Sequence, residues 1–197
     1  MRRNTFDTIT SSVGVLLAVI LLVAGGLLLW AYNFVNSQVQ QQLTEQQITF
    51  PATGSAALKA LPPDDAAAMS AYAGQLMTTG AQAKTYADHF IAVHLKEIGG
   101  GKTYSQLSAE SLAQPGNAVL KAQVDTVFKG TTLRGLLLNA YAFWQMGQIM
   151  LIGAIATFIA AGLMLILSGL GIAHLRRASP ESEVLPKLAT RVEVNSA

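Results

Sequence analysis

The sequence predicts an all-α membrane protein, with two transmembrane helices and a small helical extracytoplasmic domain between them. Two long uncharged stretches and a helical apolar periodicity between them support this fold class. Only 12% of the 197 residues are charged, whereas 51% are apolar. A cytosolic domain carries about twice that fraction of charge. Such a shortage of charge is typical of chains with membrane-spanning segments.

The first uncharged stretch is "VGVLLAVILLVAGGLLLWAYNFV", which runs from Val13 to Val35 without a side chain that is charged at neutral pH. At about 1.5 Å per residue it forms about 34 Å of helix, enough to cross a hydrocarbon core of about 30 Å. The apolar core of a cleavable signal peptide has only about 7–15 residues, and no small-x-small cleavage site follows here. We therefore expect transmembrane helix 1 at 13–35, an uncleaved signal anchor, after a cytoplasmic N-terminal segment at 1–12.

The second stretch, residues 135–174, has no fixed charge, and as a helix it is about 60 Å long, about twice the bilayer core. Tyr141 and Trp144 indicate an interfacial aromatic belt, after which the chain is apolar throughout. This places transmembrane helix 2 at 149–173. The upstream part, "GLLLNAYAFWQMG", is expected as a helix that packs on protein or lies at the interface.

Basic residues near the two spans predict the orientation. Cytoplasmic flanks of membrane spans are enriched in lysine and arginine. The predicted tails carry Arg2, Arg3, Arg176, Arg177, Lys187 and Arg191, whereas the intervening loop carries only Lys129 and Arg134 near the spans. Both termini are therefore predicted to be cytoplasmic in a plasma membrane, with 36–148 outside and 174–197 a disordered tail.

The intervening segment has balanced charge, since residues 36–147 hold seven basic and seven acidic side chains. The basic pI of the whole chain thus comes from the predicted cytoplasmic ends and gives no support to nucleic-acid binding. The chain has no cysteine, so no disulfide framework holds this domain. We expect its small core to need the membrane helices or a partner.

Apolar spacing predicts the elements of this domain. Val35, Val39 and Leu43 recur every four residues, which indicates that the first span continues outward as a helix. Prolines and glycines break the segment 48–63 into an ordered connection or a very short strand. Asp64 is predicted to cap a helix that ends at Gly80.

Three further helices follow in the prediction. One begins near residue 81 and ends at the glycines 99–101, and two others cover 104–113 and 117–128. Thr131 or Thr132 is then expected to cap the long helix that enters the membrane. The first of the three has an apolar face that is expected to be buried: Tyr86, Phe90, Ile91, Leu95 and Ile98.

The stretch "IGGGKTYS" resembles the end of a phosphate-binding loop. Such a loop needs a glycine five residues before its glycine-lysine pair and a strand in front. Here that position holds Lys96, and the preceding "HFIAVHLKE" has a helical pattern. We therefore interpret the glycines as a helix C-terminus with left-handed residues, and expect no nucleotide partner.

Candidate chemical residues are few. His89 and His94 are five apart, about 140° around a helix, and do not share a face. His94 with Glu97 and the nearby Asp88 leaves open a metal site completed from elsewhere, against the commoner buried or capping histidine. The sequence has no G-x-S-x-G motif and no paired carboxylates for catalysis. We predict no catalytic, cofactor-binding or metal residue, no cofactor and no enzyme activity.

Small residues recur every four positions within the spans. Gly153, Thr157 and Ala161 lie on one face of the second span, and Gly14 and Ala18 on one face of the first. This spacing permits close helix contact, although glycine and alanine are also simply common in such spans. Neither predicted span holds an ionisable residue, so no proton path or ion-selective pore is predicted.

The chain resembles an uncharacterised family of actinobacterial two-pass membrane proteins. The stretches "FPATGSAAL", "YADHFIAVHLKEIGGGKTYSQLS" and "TLRGLLLNAYAFWQMGQ", in that order between two spans, carry the resemblance. Some members are labelled as aromatic ring-opening dioxygenases, but this sequence lacks the residues of a non-haem iron triad. The resemblance implies an actinobacterial host and an outer domain beneath the cell wall.

Two functional hypotheses follow from this layout. The first is a non-enzymatic accessory or scaffold subunit of a plasma-membrane complex, which contacts the bilayer and a protein partner or another copy of itself through its transmembrane helices. The alternative is an extracytoplasmic ligand-sensing module that relays to a partner protein. The polar tail after residue 174 is too short for an output domain.

Overall fold

A computed structural model describes residues 3–177, with side chains from residue 7 to residue 174. Seven α-helices and one π-helix form this described part, and it has no β-strand. The helices are α1 (Arg3–Glu45), α2 (Ala56–Lys59), α3 (Pro63–Ser70), α4 (Gly80–Tyr86), the π-helix (Ala87–Ile91), α5 (Ala92–Ile98), α6 (Tyr104–Ala113) and α7 (Ala118–Arg177). The predicted all-α class is confirmed for these residues.

Helices α1 and α7 are each long and apolar enough to cross a membrane. Only 11% of the most apolar stretch of each helix is buried inside the protein. Such stretches therefore differ from the core helices of water-soluble proteins, which are mostly buried. Helix α1 begins at Arg3, so the segment before the predicted span is helical rather than separate from it. Residues 174–177 of the predicted disordered tail belong to α7, and residues 178–197 lie outside the described part.

The chain divides into two compact units. The first, which we call the two-helix unit, combines the described residues 3–29 and 152–177. In it, small side chains face the neighbouring helix, because Ala18, Ala154 and Ala161 are at most 1% exposed. Large apolar side chains such as Leu16 and Ile166 point outward and are 60% and 62% exposed. The predicted small-residue faces are therefore used for contact between helices of this chain.

Contacts between serine and glycine residues determine how closely α1 and α7 approach each other in this unit. A Cβ atom on Gly14 would overlap the Ser168 hydroxyl, and one on Gly171 would overlap the Ser11 hydroxyl. Gly25 is similarly tight, since a Cβ atom there would lie 2.8 Å from the Thr157 Oγ1 atom. Close approach of the two backbones thus depends on residues without a side chain.

The second unit comprises residues 30–151 and is called the cap unit here. Its core joins the outer parts of α1 and α7 to the short helices. Val39 and Leu43 of α1 and Leu137 of α7 are buried at 7%, 3% and 3% exposure, which confirms the apolar stripe predicted on α1. The other buried core members are Phe50, Leu58, Leu61, Met69, Met77, Ala83, Ala87 and Ile91.

The connection after α1 is ordered, as predicted, and is fixed by backbone hydrogen bonds. The Phe50 amide donates to the Gln75 carbonyl at 2.9 Å, and the Met77 amide donates to the Ile48 carbonyl at 2.8 Å. Thr49 forms an isolated antiparallel bridge in this region. The Phe50 ring is 1% exposed and packs against two tyrosine rings, so the connection supplies a core anchor.

Helix α3 differs from its prediction at both ends. It begins at Pro63, and Asp64 lies in its first turn instead of capping it. Proline is well suited to the first helical position because its missing N–H would be unpaired there anyway. The helix ends at Ser70 rather than at Gly80, because Gly74 has a positive φ of 71° and the chain then pairs with the connection.

Helix α4 begins where predicted, within one residue, at a capping box. The Thr79 hydroxyl accepts a hydrogen bond from the Gln82 amide, and the Gln82 side chain reaches back to the Thr79 amide. Gly80 is needed next to α7, because a Cβ atom there would lie 2.7 Å from the Trp144 Cγ atom and 3.0 Å from the Tyr141 Cα atom. This contact fixes the start of α4 against the long helix.

The predicted helix 81–98 is interrupted by one π-helical turn, Ala87–Ile91. Arg134 of α7 lies across this turn, and its Nε atom donates to the Ala87 carbonyl at 3.2 Å. Its Nη2 atom donates to the Asp88 carboxylate at 2.7 Å. On the predicted apolar face, Ile91 is buried, but Ile98 is 40% exposed and that part of the prediction is wrong. The face ends early because α5 reaches its last turn there.

Helix α7 is continuous, so the predicted break before Thr131 or Thr132 is wrong. The Thr132 hydroxyl donates to the Phe128 carbonyl four residues earlier, a bond that threonine makes inside a helix. Gly130 does not end the helix either, because its open side receives the Leu95 side chain. The part upstream of the predicted span packs on protein, since Leu137 is buried in the cap core.

Helix α6 occupies Tyr104–Ala113, the predicted range. Its Leu107 side chain is 1% exposed and forms a second small cluster with Leu120 and Val127 of α7. The rings of Tyr104 and Phe128 lie 5.4 Å apart beside that cluster. The first turns of α7 are therefore covered by α6.

Candidate functional site

The cap unit contains a groove between α1 and α7, which we call the interhelical groove. Its volume is about 550 Å³. It is lined by Phe34, Val35, Gln38, Val39, Gln42 and Leu43 of α1, by Gln46 in the turn after α1, and by Leu133, Leu136, Leu137, Asn139, Ala140 and Phe143 of α7. None of these side chains is ionisable, so the groove is suited to an uncharged occupant.

The floor and the rim of the groove differ in exposure. The floor consists of Val39, Leu43 and Leu137, which are also core residues of the cap unit. The rim carries Leu136 and Phe143, which are 61% and 57% exposed. Exposed apolar side chains arranged along a concave surface are typical of a binding site rather than of scattered surface residues.

Four side-chain amides edge this apolar surface. Gln38 and Gln42 lie four residues apart on α1, Gln46 follows in the turn after this helix, and Asn139 lies on α7. Steps of four place side chains on one face of a helix. Each amide can donate and accept hydrogen bonds. The groove therefore offers neutral polar contacts beside apolar ones.

The two histidines of the cap unit do not meet. The Nδ1 atom of His89 lies 2.7 Å from the Asp65 Oδ1 atom, which connects the π-helix to α3. The Nδ1 atom of His94 lies 2.7 Å from the Phe90 carbonyl oxygen and so donates to the backbone. Among the side chains that the structure describes, from residue 7 to residue 174, no group of three or more histidine, cysteine, aspartate or glutamate residues is placed to hold a metal ion.

The glycine corner ends α5, and this interpretation of the sequence is confirmed. Gly100 and Gly101 have positive φ angles of 58° and 79°. The Gly101 amide donates to the Lys96 carbonyl at 2.8 Å and the Gly100 amide to the Glu97 carbonyl at 3.0 Å. These two bonds form a Schellman motif, the usual helix end with left-handed glycine.

The lysine and threonine after these glycines also have structural partners. The Lys102 Nζ atom donates to the Glu110 carboxylate at 2.6 Å. The Thr103 hydroxyl accepts from the Gln106 amide in the capping box that begins α6. A phosphate loop requires free backbone N–H groups after a strand together with a free lysine, and this corner provides neither.

Asp88 forms ion pairs with two cationic side chains of the cap unit, Lys84 and Arg134. Partial burial raises its pKa, but hydrogen bonds from Lys84 and Arg134, together with their charges, outweigh burial and hold the pKa below the ordinary value of 3.8. The carboxylate is therefore ionised at neutral pH and joins α4, the π-helix and α7. Since both of its cationic partners belong to the chain, we assign Asp88 to the fold and not to a ligand site.

Burial alone raises the pKa of the Tyr86 hydroxyl. Its ring packs between Phe50 and Phe90, with centroids 5.4 Å and 4.8 Å away. The tyrosine is thus a core residue, as its place on the predicted apolar face indicated.

The sequence identified only one wall of the interhelical groove. The stripe of Val35, Val39 and Leu43 was evident from its spacing. The facing wall was not, because "LRGLLLNAYAF" carries apolar residues on every face beside Arg134 and Asn139, and its periodicity does not select one face. The three glutamines at steps of four were the available signal for a polar edge.

Comparisons with protein-family models, with curated proteins and with solved structures gave no match to this chain. The resemblance to the actinobacterial family therefore remains a prediction. The groove has to be interpreted from its own geometry and chemistry.

Proposed function

We propose that this chain is a non-enzymatic accessory or scaffold subunit of a plasma-membrane complex, and that the interhelical groove receives a helix of an integral membrane partner. The observation that carries the proposal is the uncovered, uncharged groove of the cap unit. The chain builds a core on one side of α1 and α7 and leaves the apolar rim residues Leu136 and Phe143 exposed on the groove side.

The proposed topology puts this groove beside the outer surface of the bilayer. We place the spans at 13–35 and 149–173, with both termini cytoplasmic and the cap at 36–148 outside. Phe34 then belongs to the end of the first span, and Phe143 precedes the second by six residues. An integral membrane partner can reach such a surface without leaving the bilayer.

A helix is the occupant that suits the dimensions and the lining. The α1 wall from Phe34 to the helix end at Glu45 is about 17 Å long at 1.5 Å per residue, which matches about three turns of a partner helix. Adding it would convert two helical walls into a three-helix arrangement with a shared apolar seam. Its contacting face should carry aliphatic side chains and a few serine, asparagine or glutamine residues. An ionised side chain there would be buried without a partner.

The contacts within the two-helix unit are consistent with this assignment. Its smallest side chains already face each other across α1 and α7, for example at Gly14 and Ser168. The partner is therefore expected to meet larger side chains, in the groove and on the outward faces of the spans.

The proposal can be tested by photo-crosslinking in native membranes. A benzophenone amino acid at Leu136 should crosslink to one integral membrane protein that also copurifies at fixed stoichiometry in mild detergent. The matched control is Leu112, which is 81% exposed but lies on α6, away from the groove. Leu136→Glu should abolish copurification, whereas Leu112→Glu should not.

The crosslinking experiment has a clear negative outcome. If Leu136 gives no defined product in native membranes, or if it labels the same proteins as Leu112, the groove is not a docking surface. A monodisperse chain without a partner after native purification would also contradict the accessory role.

An extracytoplasmic ligand-sensing module that relays to a partner protein is the second candidate. The observation that favours it is the groove volume of about 550 Å³, which falls within the range of about 300–1,000 Å³ usual for small-molecule sites. Thermal-shift screening of the full chain against neutral amphiphiles and metabolites tests this function. A stabilising compound whose effect is lost in Leu136→Glu would favour sensing over docking.

A further inference from the structure

The outer part of α7 carries a row of exposed side chains, which we call the α7 seam. Leu136, Asn139, Phe143 and Met146 follow one another at steps of three, four and three residues. All four are exposed, and the three apolar ones are 61%, 57% and 50% exposed. The first three line the interhelical groove. Alternating steps of three and four place side chains along one line of a helix, as in the seam of a coiled coil.

The cap unit packs against a different face of α7. Leu137 is buried in the cap core, and a Cβ atom on Gly147 would lie 3.7 Å from the side chains of Tyr32 and Val35 of α1. Leu137 and Gly147 each follow a seam residue by one position, which is about 100° around the helix. The α7 seam is therefore a second contact face, and the described part of the chain leaves it exposed.

The α7 seam has the chemistry that the groove requires of its occupant. No residue from 135 to 174 carries a fixed charge, so this part of α7 can enter an uncharged groove without burying an unpaired ion. The seam supplies three apolar side chains and the amide of Asn139. Because an amide both donates and accepts hydrogen bonds, it can pair with the same amide of another copy. A contact between two identical surfaces requires such self-complementarity.

Insertion in one bilayer determines how two copies meet. In the proposed topology every copy crosses the membrane in the same direction, so the outer parts of two α7 helices run parallel. Each seam residue then lies at the same height as its counterpart in the other copy. Met146 precedes the proposed span at 149–173 by three residues. The α7 seam thus begins at the bilayer surface and extends about 15 Å outward at 1.5 Å per residue.

We propose that the occupant of the interhelical groove is α7 of a second copy of this chain. The two α7 seams pack in parallel about a two-fold axis along the membrane normal, and each α7 lies in the groove of the other copy. Asn139 meets its counterpart at the axis. A single asparagine in an apolar seam sets the register and the number of associated helices. This pairing presupposes the proposed docking function of the groove and identifies the partner.

Disulfide crosslinking in native membranes tests the pairing. The chain has no cysteine, so a single introduced cysteine cannot form a bridge within one copy. Two differently tagged copies are expressed together, and a covalent dimer must carry both tags. Cysteines form a disulfide only when their Cα atoms lie within about 7 Å. Asn139→Cys and Phe143→Cys should therefore give the covalent dimer after mild oxidation.

The matched control is Gln145→Cys. Gln145 is also exposed on α7 and lies between two seam residues in the sequence, but it is at least about 100° around the helix from every residue of the seam. Random collisions in the membrane affect both positions alike. The yield of covalent dimer at Gln145→Cys should be lower than at Asn139→Cys by about fivefold or more.

Copurification of the two tagged copies in mild detergent provides a measurement without a crosslink. Asn139→Asp keeps the size of the side chain but places two carboxylates at the axis, so recovery of the second tag should fall by about tenfold or more. Gln145→Glu adds a charge outside the seam and should leave the recovery unchanged. Both replaced side chains are exposed in the single chain, and helical circular dichroism checks that both variants fold.

Two results would overturn the pairing with a second copy. One is a dimer yield at Asn139→Cys that is no higher than at Gln145→Cys. The other is a folded Asn139→Asp chain that copurifies with its second copy as the wild type does. If a benzophenone at Leu136 then labels a different integral membrane protein, the docking function stands and that protein is the occupant. If Leu136 labels nothing, the docking function fails as well.

Discussion

Replacing Phe50 by alanine should destabilise the cap unit strongly. The ring is 1% exposed, and its centroid lies 5.3 Å from that of Tyr72 and 5.4 Å from that of Tyr86. A buried aromatic side chain removes about 150–250 Å² from water, which at about 25 cal/mol per Å² corresponds to about 4–6 kcal/mol as an upper estimate. Measured Phe→Ala substitutions in cores cost about 3–5 kcal/mol, and we expect that range here.

Hydrogen exchange of the full chain in lipid nanodiscs provides the measurement. The Phe50 and Met77 amides hydrogen-bond to the Gln75 and Ile48 carbonyls, so they report the opening of the connection from the core. Their opening free energy should fall by about 3–5 kcal/mol in Phe50→Ala. Since whole domains are stable by about 5–15 kcal/mol, this loss would remove a large share of the stability of the cap unit.

The matched control is Phe128→Ala. That ring is 50% exposed and has one aromatic neighbour, Tyr104. Its removal should cost no more than about 1 kcal/mol, in the range of an exposed aromatic pair. If Phe50→Ala and Phe128→Ala had equal effects on the Phe50 amide, the connection would not be an anchor of the core. The reasoning from burial would then be refuted.

Three further predictions concern glycine contacts and pH. Gly25→Leu should destabilise the two-helix unit by about 1–3 kcal/mol through overpacking, whereas Gly26→Leu, with nothing within 4 Å of its Cβ position, should leave the melting temperature in detergent nearly unchanged. Gly80→Ala should destabilise the cap unit by about 1–3 kcal/mol. Gly135→Ala, on an open face of α7, should stabilise it by about 0.5–1 kcal/mol. Hydrogen exchange measures both changes in opening free energy, and changes of the reverse sign would contradict both predictions. Because the folded-state pKa of Asp88 is lowered, its stabilisation is present above the ordinary pKa of 3.8 and is lost as pH falls through the folded-state value. Urea titrations should show this acid loss in the wild type and not in Asp88→Asn.

Local signals predicted the parts of the fold that depend on neighbouring residues. The end of α5 was predicted from three consecutive glycines, and the start of α6 was predicted at residue 104, where the structure has a capping box of Thr103 and Gln106. Both rest on hydrogen bonds within a few residues. Such bonds are determined by the side chains and backbone angles that the local sequence permits.

Long-range contacts could not be predicted in the same way. The Arg134 bond to Asp88 joins residues 46 apart, and the His89 contact with Asp65 joins residues 24 apart. Nothing in the local pattern selects these partners. The helix break expected before Thr132 failed for a related reason, because its hydroxyl can cap a new helix or bond inside an existing one, and packing decides which.

The sequence predicted the α1 wall of the interhelical groove but not the α7 wall, and the reason is physical. A stripe is evident when polar side chains occupy the rest of a helix, as the glutamines do on α1. On the outer part of α7, Leu136, Leu137 and Leu138 are consecutive and point in three directions. The structure buries Leu137, half-buries Leu138 and leaves Leu136 exposed, and the sequence alone does not rank them.

The length of α7 gives the strongest argument for a partner. Its uncharged stretch, residues 135–174, is about 60 Å long, and a bilayer core of about 30 Å can cover only half of it. In the proposed topology the other half lies outside, where the cap core covers the face that carries Leu137. In that topology the neighbouring face, with Leu136 and Phe143, has neither lipid nor cap against it. An apolar surface of this kind is expected to be covered in the working protein, so a partner helix in the groove accounts for the part of α7 that the bilayer and the cap leave exposed.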